Sequence, residues 1–100
     1  MTSTARTEGE WNPLTRLGER VRALRLERGW NQAQLAARSQ LHENQIWLLE
    51  NGKRNPSAKT LFLIAAALDV RPSALFEGYT AADLKRLLSL ERQVKLRRKV

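Results

Sequence analysis

The sequence of 100 residues predicts an all-α fold with five helices and an additional helix at the C-terminal end. Apolar residues recur at intervals of three and four along successive segments, which places them on one face of a helix. No segment alternates apolar and polar residues with the period of two that is typical of a half-buried strand. The chain also contains no internal repeat and no low-complexity block. These observations favour helices throughout.

The length suits one compact domain with tails, because 100 residues are too few for two independent cores. We expect a flexible N-terminal tail at residues 1–12, the main domain at 13–78 and an amphipathic helix with a basic end at 79–100. The tail is rich in Thr, Ser, Gly and Glu, so it has little apolar surface to bury. Trp11 is its exception, and this residue either packs on the first helix or belongs to a loose end.

The first helix is predicted from about Pro13 to Arg28. Proline suits the first helical turn, because the N–H that it lacks would have no partner within the helix. Gly29 is a residue that commonly follows the end of a helix. The buried stripe of this helix is formed by Leu14, Leu17, Val21 and Leu24.

The segment from Asn31 to Lys53 predicts two short helices joined by a tight turn. The residues predicted to hold the pair together are Leu35, Ala36, Leu41, Ile46 and Leu49. On the opposite face of the second helix, four residues lie side by side, and these are Glu43, Asn44, Trp47 and Leu48. Such an arrangement presents one helix to the major groove of DNA.

Two further helices are predicted after this pair. A turn at residues 55–57 begins a fourth helix that runs to about Leu68. Its core stripe consists of Leu61, Ile64, Ala65 and Leu68. A short fifth helix is predicted at residues 72–76, with Pro72 in its first turn and Gly78 after its end.

The last segment predicts a sixth helix, which begins at a capping box between Thr80 and Asp83. Glu91 interrupts its broad apolar face, which consists of Leu84, Leu87, Leu88, Leu90 and Val94. Phe62 and Leu63 on the fourth helix add apolar surface that the core stripe does not use. This surface is covered by the chain's own domain, by a second subunit or by a foreign protein. For the second case, the predicted dimerisation residues are Phe62, Leu63, Leu84, Leu87 and Leu88.

The charge balance makes a polyanion the leading partner, with a membrane surface as the alternative. Lys and Arg number 18 against 10 Asp and Glu, which gives a net charge of +8. The basic residues at the end of the chain either form a solvated tail or contact DNA phosphate. These residues are Arg92, Lys95, Arg97, Arg98 and Lys99.

Several classes of function are excluded by what the sequence does not contain. No apolar run approaches the roughly 20 residues that span a bilayer, and no signal peptide is visible, so we expect a cytoplasmic protein without a membrane partner. The absence of cysteine removes disulfides and thiolate chemistry. His42 is the single histidine, so we expect no metal site and no cofactor. Without a phosphate-cradling glycine loop, an activated nucleophile or paired carboxylates, an enzyme is not expected.

From about Leu14 to Phe76 the chain resembles the helix-turn-helix family of phage repressor and Cro proteins, the xenobiotic-response-element type of regulator. The segments that carry the resemblance are LGERVRALR at 17–25, RG at 28–29, QAQLA at 32–36, IWLLENGKRNPS at 46–57 and the stretch 60–70. Within that family the chain is similar to the short controller proteins of restriction-modification systems. Gln40 stands where the family's turn usually has glycine, which predicts a non-glycine residue at positive φ. Trp47 stands where a small or polar residue is usual.

The resemblance implies base contacts from the second helix of the motif. Glu43 and Asn44 match the family's first reading positions, and Leu48 follows one turn later. Asparagine can bond adenine twice, glutamate can accept from the cytosine amino group, and an apolar side chain can meet the thymine methyl. Trp47 completes the predicted base-contacting set, and its indole packs on the sugar-phosphate wall, on a partner subunit or on its own helix.

The resemblance also implies phosphate contacts from Gln32, Lys53 and Arg54. We add Asn55 to this set, and His42, which either caps its helix or donates to phosphate. Gln32 opens a helix whose free N–H groups favour an anion, and its alternative role is to cap that helix. The alternative for Lys53 and Arg54 is a surface charge pair. Arg25 and Glu50 match a structural ion pair of the family, which orients the elements more than it stabilises them.

The predicted function is therefore a sequence-specific transcriptional regulator that acts as a homodimer on a near-palindromic operator in double-stranded DNA. The alternative is an antitoxin of a toxin-antitoxin pair. In that case the C-terminal helix or the Phe62 face binds a toxin protein, and operator binding serves autoregulation.

Overall fold

The computed structural model describes residues 12–98, and every regular element in that range is a helix. In chain order the elements are α1 (Pro13–Glu27), α2 (Gln32–Ser39), α3 (Glu43–Glu50), α4 (Ala58–Leu68), a 3-10 helix (Pro72–Phe76) and α5 (Ala81–Arg98). The prediction of an all-α fold with an additional C-terminal helix is confirmed. The expectations for Trp11, Lys99 and the tail at 1–11 lie outside the described residues.

The helices begin at residues that satisfy their free N–H groups. Asn12 caps α1, since its Oδ1 accepts from the Leu14 N–H at 2.9 Å. Ser57 caps α4 in the same way, with its Oγ accepting from the Thr60 N–H at 3.1 Å. At its other end α1 stops one residue before the predicted boundary, and Arg28 is its C-cap.

The predicted capping box opens α5. Thr80 Oγ1 accepts from the Asp83 N–H at 3.1 Å, and Asp83 Oδ2 accepts from the Thr80 N–H at 2.9 Å. This backbone N–H, together with the nearby Arg16 guanidinium, holds the pKa of Asp83 below its usual value. These bonds favour the charged carboxylate, and they attach the start of α5 to α1.

A single apolar core joins α1, α2, α3, α4 and the 3-10 helix. Its buried side chains are Leu17, Val21, Leu24, Leu35, Ala36, Ile46, Leu49, Ile64, Ala65, Leu68 and Leu75. Leu14 and Leu61 from the predicted stripes are only partly buried and pack at its edge. Trp30, between α1 and α2, also packs against this core, and the Arg38 guanidinium lies 4.4 Å from its ring centroid.

Gly18 marks the place where α1 and α3 come closest. A Cβ atom at this position would lie 2.3 Å from the Leu49 carbonyl oxygen and 2.5 Å from the Glu50 carbonyl oxygen. No side chain fits there, so the absence of one permits the close packing of these two helices. At the end of α3, the Gly52 carbonyl accepts from Asn12 Nδ2 at 3.2 Å, which ties this end to the start of α1.

The start of α5 is attached to α1, and the rest of the helix extends away from the core. Arg16 Nη1 lies 2.6 Å from Asp83 Oδ2, and the Tyr79 hydroxyl donates to the Pro13 carbonyl. No described residue of α5 is fully buried. Leu87 and Leu90 are half-buried near the start of α1, whereas Leu84 and Leu88 are 56% and 64% exposed. A large part of the α5 apolar surface is therefore open.

Within residues 12–98, no helix has the length and apolar character that crossing a bilayer requires.

Candidate nucleic-acid interface

The angle between α2 and α3 is set by a turn at Gln40. This residue has φ 62° and ψ 34°, the left-handed conformation, and it forms the C-cap of α2. The next N–H, from Leu41, donates to the Ala36 carbonyl at 2.9 Å. A non-glycine residue in this conformation costs about 1 kcal/mol. The predicted positive φ at Gln40 is confirmed, and the turn holds α3 across α2.

The outer face of α3 is open to a partner. Glu43, Asn44 and Trp47 are exposed there, and Leu48 is half-buried. The opposite face of α3 is anchored in the core by Ile46, which is fully buried, and by its neighbour Leu49. The structure therefore brings the four residues assigned to base contacts onto one anchored helix surface.

Trp47 extends this surface toward both α1 and α2. Its side chain is 44% exposed. It borders a shallow cleft with Gln32, Glu43 and Asn44, and a second, polar cleft that reaches Arg22 on α1. The indole thus adds a large apolar face between polar and charged groups.

Asn31, and not Gln32, caps α2. Asn31 Oδ1 accepts from the Gln34 N–H at 2.8 Å, and Gln34 Oε1 accepts from the Asn31 N–H at 2.8 Å. The alternative in which Gln32 serves as the cap is therefore wrong. Gln32 is the first residue of the helix, and its Nε2 donates to Glu50 Oε1 at 3.0 Å.

The remaining polar candidates lie at the two ends of α3. His42 is the N-cap residue, and its backbone N–H donates to Gln45 Oε1 at 2.9 Å. Lys53, Arg54 and Asn55 are exposed in the loop that follows α3. Within residues 12–98, neither cation of this loop forms a salt bridge with a carboxylate. Cationic and polar groups therefore flank the open face of α3.

A buried ion pair joins α1 to the end of α3. Arg25 Nε lies 2.6 Å from Glu50 Oε2, and Arg25 Nη2 lies 2.9 Å from Glu50 Oε1. The two side chains are 7% and 1% exposed. Hydrogen bonding to Glu50 raises the pKa of Arg25 above its ordinary value, which shows that the pair favours the charged form. This is the pairing that the resemblance implied, and it fixes α3 relative to α1.

A family described as helix-turn-helix matches residues 21–75, which is more than half of the chain. The chain belongs to the helix-turn-helix family. The immunity repressor protein of Bacillus phage phi105 is 37% identical over 59 residues, which cover 59% of this chain and 41% of the phage protein. The uncharacterised HTH-type transcriptional regulator y4dJ of Sinorhizobium fredii is 39% identical over 54 residues, covering 54% of this chain and 70% of that protein. The match thus spans less than half the length of the phage repressor.

Solved structures of this helix-turn-helix family share the fold. The restriction-modification controller protein C.AhdI from Aeromonas hydrophila is 38% identical with a TM-score of 0.62, covering 63% of this chain and 96% of that one. The wild-type restriction-modification controller protein C.Esp1396I is 31% identical with a TM-score of 0.62, covering 80% of this chain and 99% of that one. The resemblance to phage repressors and controller proteins is confirmed. These relatives do not favour the antitoxin alternative.

Sequence reasoning missed three residues that position this helix-turn-helix unit. Asn31 and Gln34 have the spacing of a capping box, so a closer inspection of that local pattern would have found the cap. Gly18 gave no comparable signal, because its importance arises from the approach of a helix that lies distant in the sequence.

Proposed function

We propose that this protein is a sequence-specific DNA-binding transcriptional regulator that places α3 in the major groove of double-stranded DNA. The observation that carries the proposal is the open face of α3, held across α2 by the left-handed turn at Gln40. A helix anchored on one side within a two-helix unit and open on the other is how such proteins enter the groove. The phage repressor and the controller proteins among its relatives support this proposal.

We assign base reading to the exposed side chains of α3. The Asn44 amide can bond adenine in two places, and the Glu43 carboxylate can accept from the cytosine amino group. Trp47 and Leu48 supply apolar surface for the thymine methyl. In this assignment the polar residues distinguish one base pair from another. The apolar residues contact the thymine methyl and follow the shape of the groove.

We assign phosphate contacts to the groups at either end of that face. His42 lies at its start, the Gln32 side chain lies beside it and donates to Glu50, and Lys53, Arg54 and Asn55 follow its end. Contacts to the DNA backbone fix the register of a protein on the duplex without reading sequence. Contacts to the DNA backbone on both sides of the major groove would hold α3 at a constant depth in that groove.

We further propose that the regulator works as a homodimer on a near-palindromic operator. One small domain makes few base contacts, so a second copy supplies both affinity and specificity. Unused apolar surface supports this assignment, since Phe62 is 59% exposed and Leu84 and Leu88 are also open. Leu63 and Leu87, which are half-buried, complete the proposed interface. As a DNA-binding protein of the cytoplasm it would need neither a cofactor nor enzymatic activity.

Mutations should separate the base and phosphate roles. Asn44→Ala should cost about 1–3 kcal/mol on the preferred operator and little on random DNA, because only the operator offers it a matched base. Lys53→Ala should weaken binding to every sequence and lower the slope of log affinity against log salt by about one. Fluorescence anisotropy titrations at several salt concentrations measure both quantities.

The matched charge control for these titrations is Arg71→Ala, since Arg71 is exposed beyond the other end of α4. It removes the same charge and should change affinity much less than Lys53→Ala. If Asn44→Ala lowered the affinity for the operator and for random DNA equally, Asn44 would not read a base directly.

A further inference from the structure

We propose that Glu50 is a positioning residue for DNA binding, which holds the Gln32 amide so that it donates to phosphate, while Arg25 cancels the carboxylate's charge. The inference rests on the proposed function and deepens it. The buried Arg25 and Glu50 pair would then connect the core to the surface that binds DNA.

The hydrogen bonds form a continuous chain from the inside of the domain to its surface. Arg25 Nη1 donates to the Trp30 carbonyl at 2.8 Å, and the same guanidinium donates twice to Glu50, at 2.6 and 2.9 Å. Glu50 Oε1 in turn accepts from Gln32 Nε2 at 3.0 Å. Glu50 is buried and Gln32 is half-buried, so this series of hydrogen bonds ends at the edge of the α3 face.

The chemistry of the carboxylate selects one orientation of the amide. Glu50 can only accept hydrogen bonds, so Gln32 must turn Nε2 and not Oε1 toward it. Nε2 carries two hydrogens, which leaves one N–H for a second acceptor after the bond to Glu50. Phosphate oxygen is such an acceptor. An amide held in advance also loses less rotamer freedom when DNA binds.

Arg25 makes this arrangement compatible with an anionic ligand. A bare carboxylate one hydrogen bond away from a phosphate contact would repel the DNA backbone. The two short bonds from Arg25 neutralise that carboxylate while leaving Oε1 able to accept from Gln32. The positive partner thus contributes to DNA binding without reaching the surface.

A double-mutant cycle on a random-sequence duplex tests the connection. Gln32→Ala should weaken binding about tenfold, the effect of one hydrogen bond to a charged group. Glu50→Gln preserves the side-chain shape but removes a carboxylate that can only accept hydrogen bonds. It should therefore weaken DNA binding about threefold to tenfold in the wild-type background. In the Gln32→Ala background the same change should cost less than about twofold, since there is no amide left to position.

Gln32→Asn provides a second test that leaves the Arg25 and Glu50 pair intact. The shorter side chain cannot span both Glu50 and a phosphate, so this variant should bind as weakly as Gln32→Ala. It keeps the proposal testable if Glu50→Gln fails to fold in a thermal melt.

The outcomes distinguish the connection from the proposed function. Equal losses from Glu50→Gln in both backgrounds, or wild-type affinity for Gln32→Asn, would overturn the positioning role while leaving DNA binding in place. A wild-type chain that binds no duplex at all would instead refute the proposed function.

Discussion

Gly18→Ala should destabilise the folded domain by about 3 kcal/mol or more, which is the upper end of what overpacking costs. The added Cβ would lie 2.3 Å from the Leu49 carbonyl oxygen. This oxygen is a backbone atom, so it cannot avoid the clash by adopting another rotamer. Alanine's better helix propensity returns only about 1 kcal/mol, so α1 and α3 must separate. Urea and thermal unfolding followed by circular dichroism should show a melting temperature lower by more than about 12 °C.

Gly29→Ala is the matched control for this change. Gly29 has φ +70° but no atom lies within 4 Å of a Cβ built there. Alanine at that position meets only backbone strain, which costs about 1 kcal/mol. A Gly18→Ala variant as stable as Gly29→Ala would show that the stability of the domain does not depend on a residue without a side chain between α1 and α3.

Arg25→Ala should lower the free energy of unfolding by about 3–5 kcal/mol. The variant leaves the Glu50 carboxylate, which is 1% exposed, without its two charged hydrogen bonds. The combined change Arg25→Met and Glu50→Leu should recover much of this loss, because apolar side chains of similar size need no partner. Chemical unfolding of the single and double variants measures both effects.

Arg20→Ala controls for the loss of an arginine from α1. Arg20 pairs with Glu77, a carboxylate whose side chain is 64% exposed. This exposed pair is worth at most about 1 kcal/mol. Arg20 Nε also donates to the Ala74 carbonyl at 2.8 Å, and this bond adds about 1 kcal/mol to the expected loss. If Arg25→Ala were no less stable than Arg20→Ala, the buried pair would have no structural role.

Local signals account for the elements that were predicted correctly. Pro13, Gly29 and the Thr80 capping box each act within one helical turn, so their positions in the sequence suffice to place helix ends. The short segment at 72–76 was predicted as a helix, but a five-residue pattern could not show that its geometry is 3-10. The left-handed turn at Gln40 was found by comparison with a pattern that has glycine there.

Contacts between distant residues could not be predicted in the same way. Gln32 and Glu50 are separated by 18 positions, and only the angle between α2 and α3 brings them within 3.0 Å. The pattern of α5 predicted an amphipathic helix, but not which of its leucines would face α1. Leu87 and Leu90 lie toward α1 while Leu88 remains 64% exposed, a difference that depends on where the Tyr79 and Asp83 contacts hold the helix.

If the open face of α3 reads DNA sequence, the wild-type chain must select particular duplexes from a random-sequence pool. Sequencing of the bound duplexes measures this selection. We expect enrichment of a two-fold symmetric motif whose half-site centres lie about 34–36 Å apart, one turn of the double helix. A bound pool with no enriched sequence relative to the starting pool would contradict it.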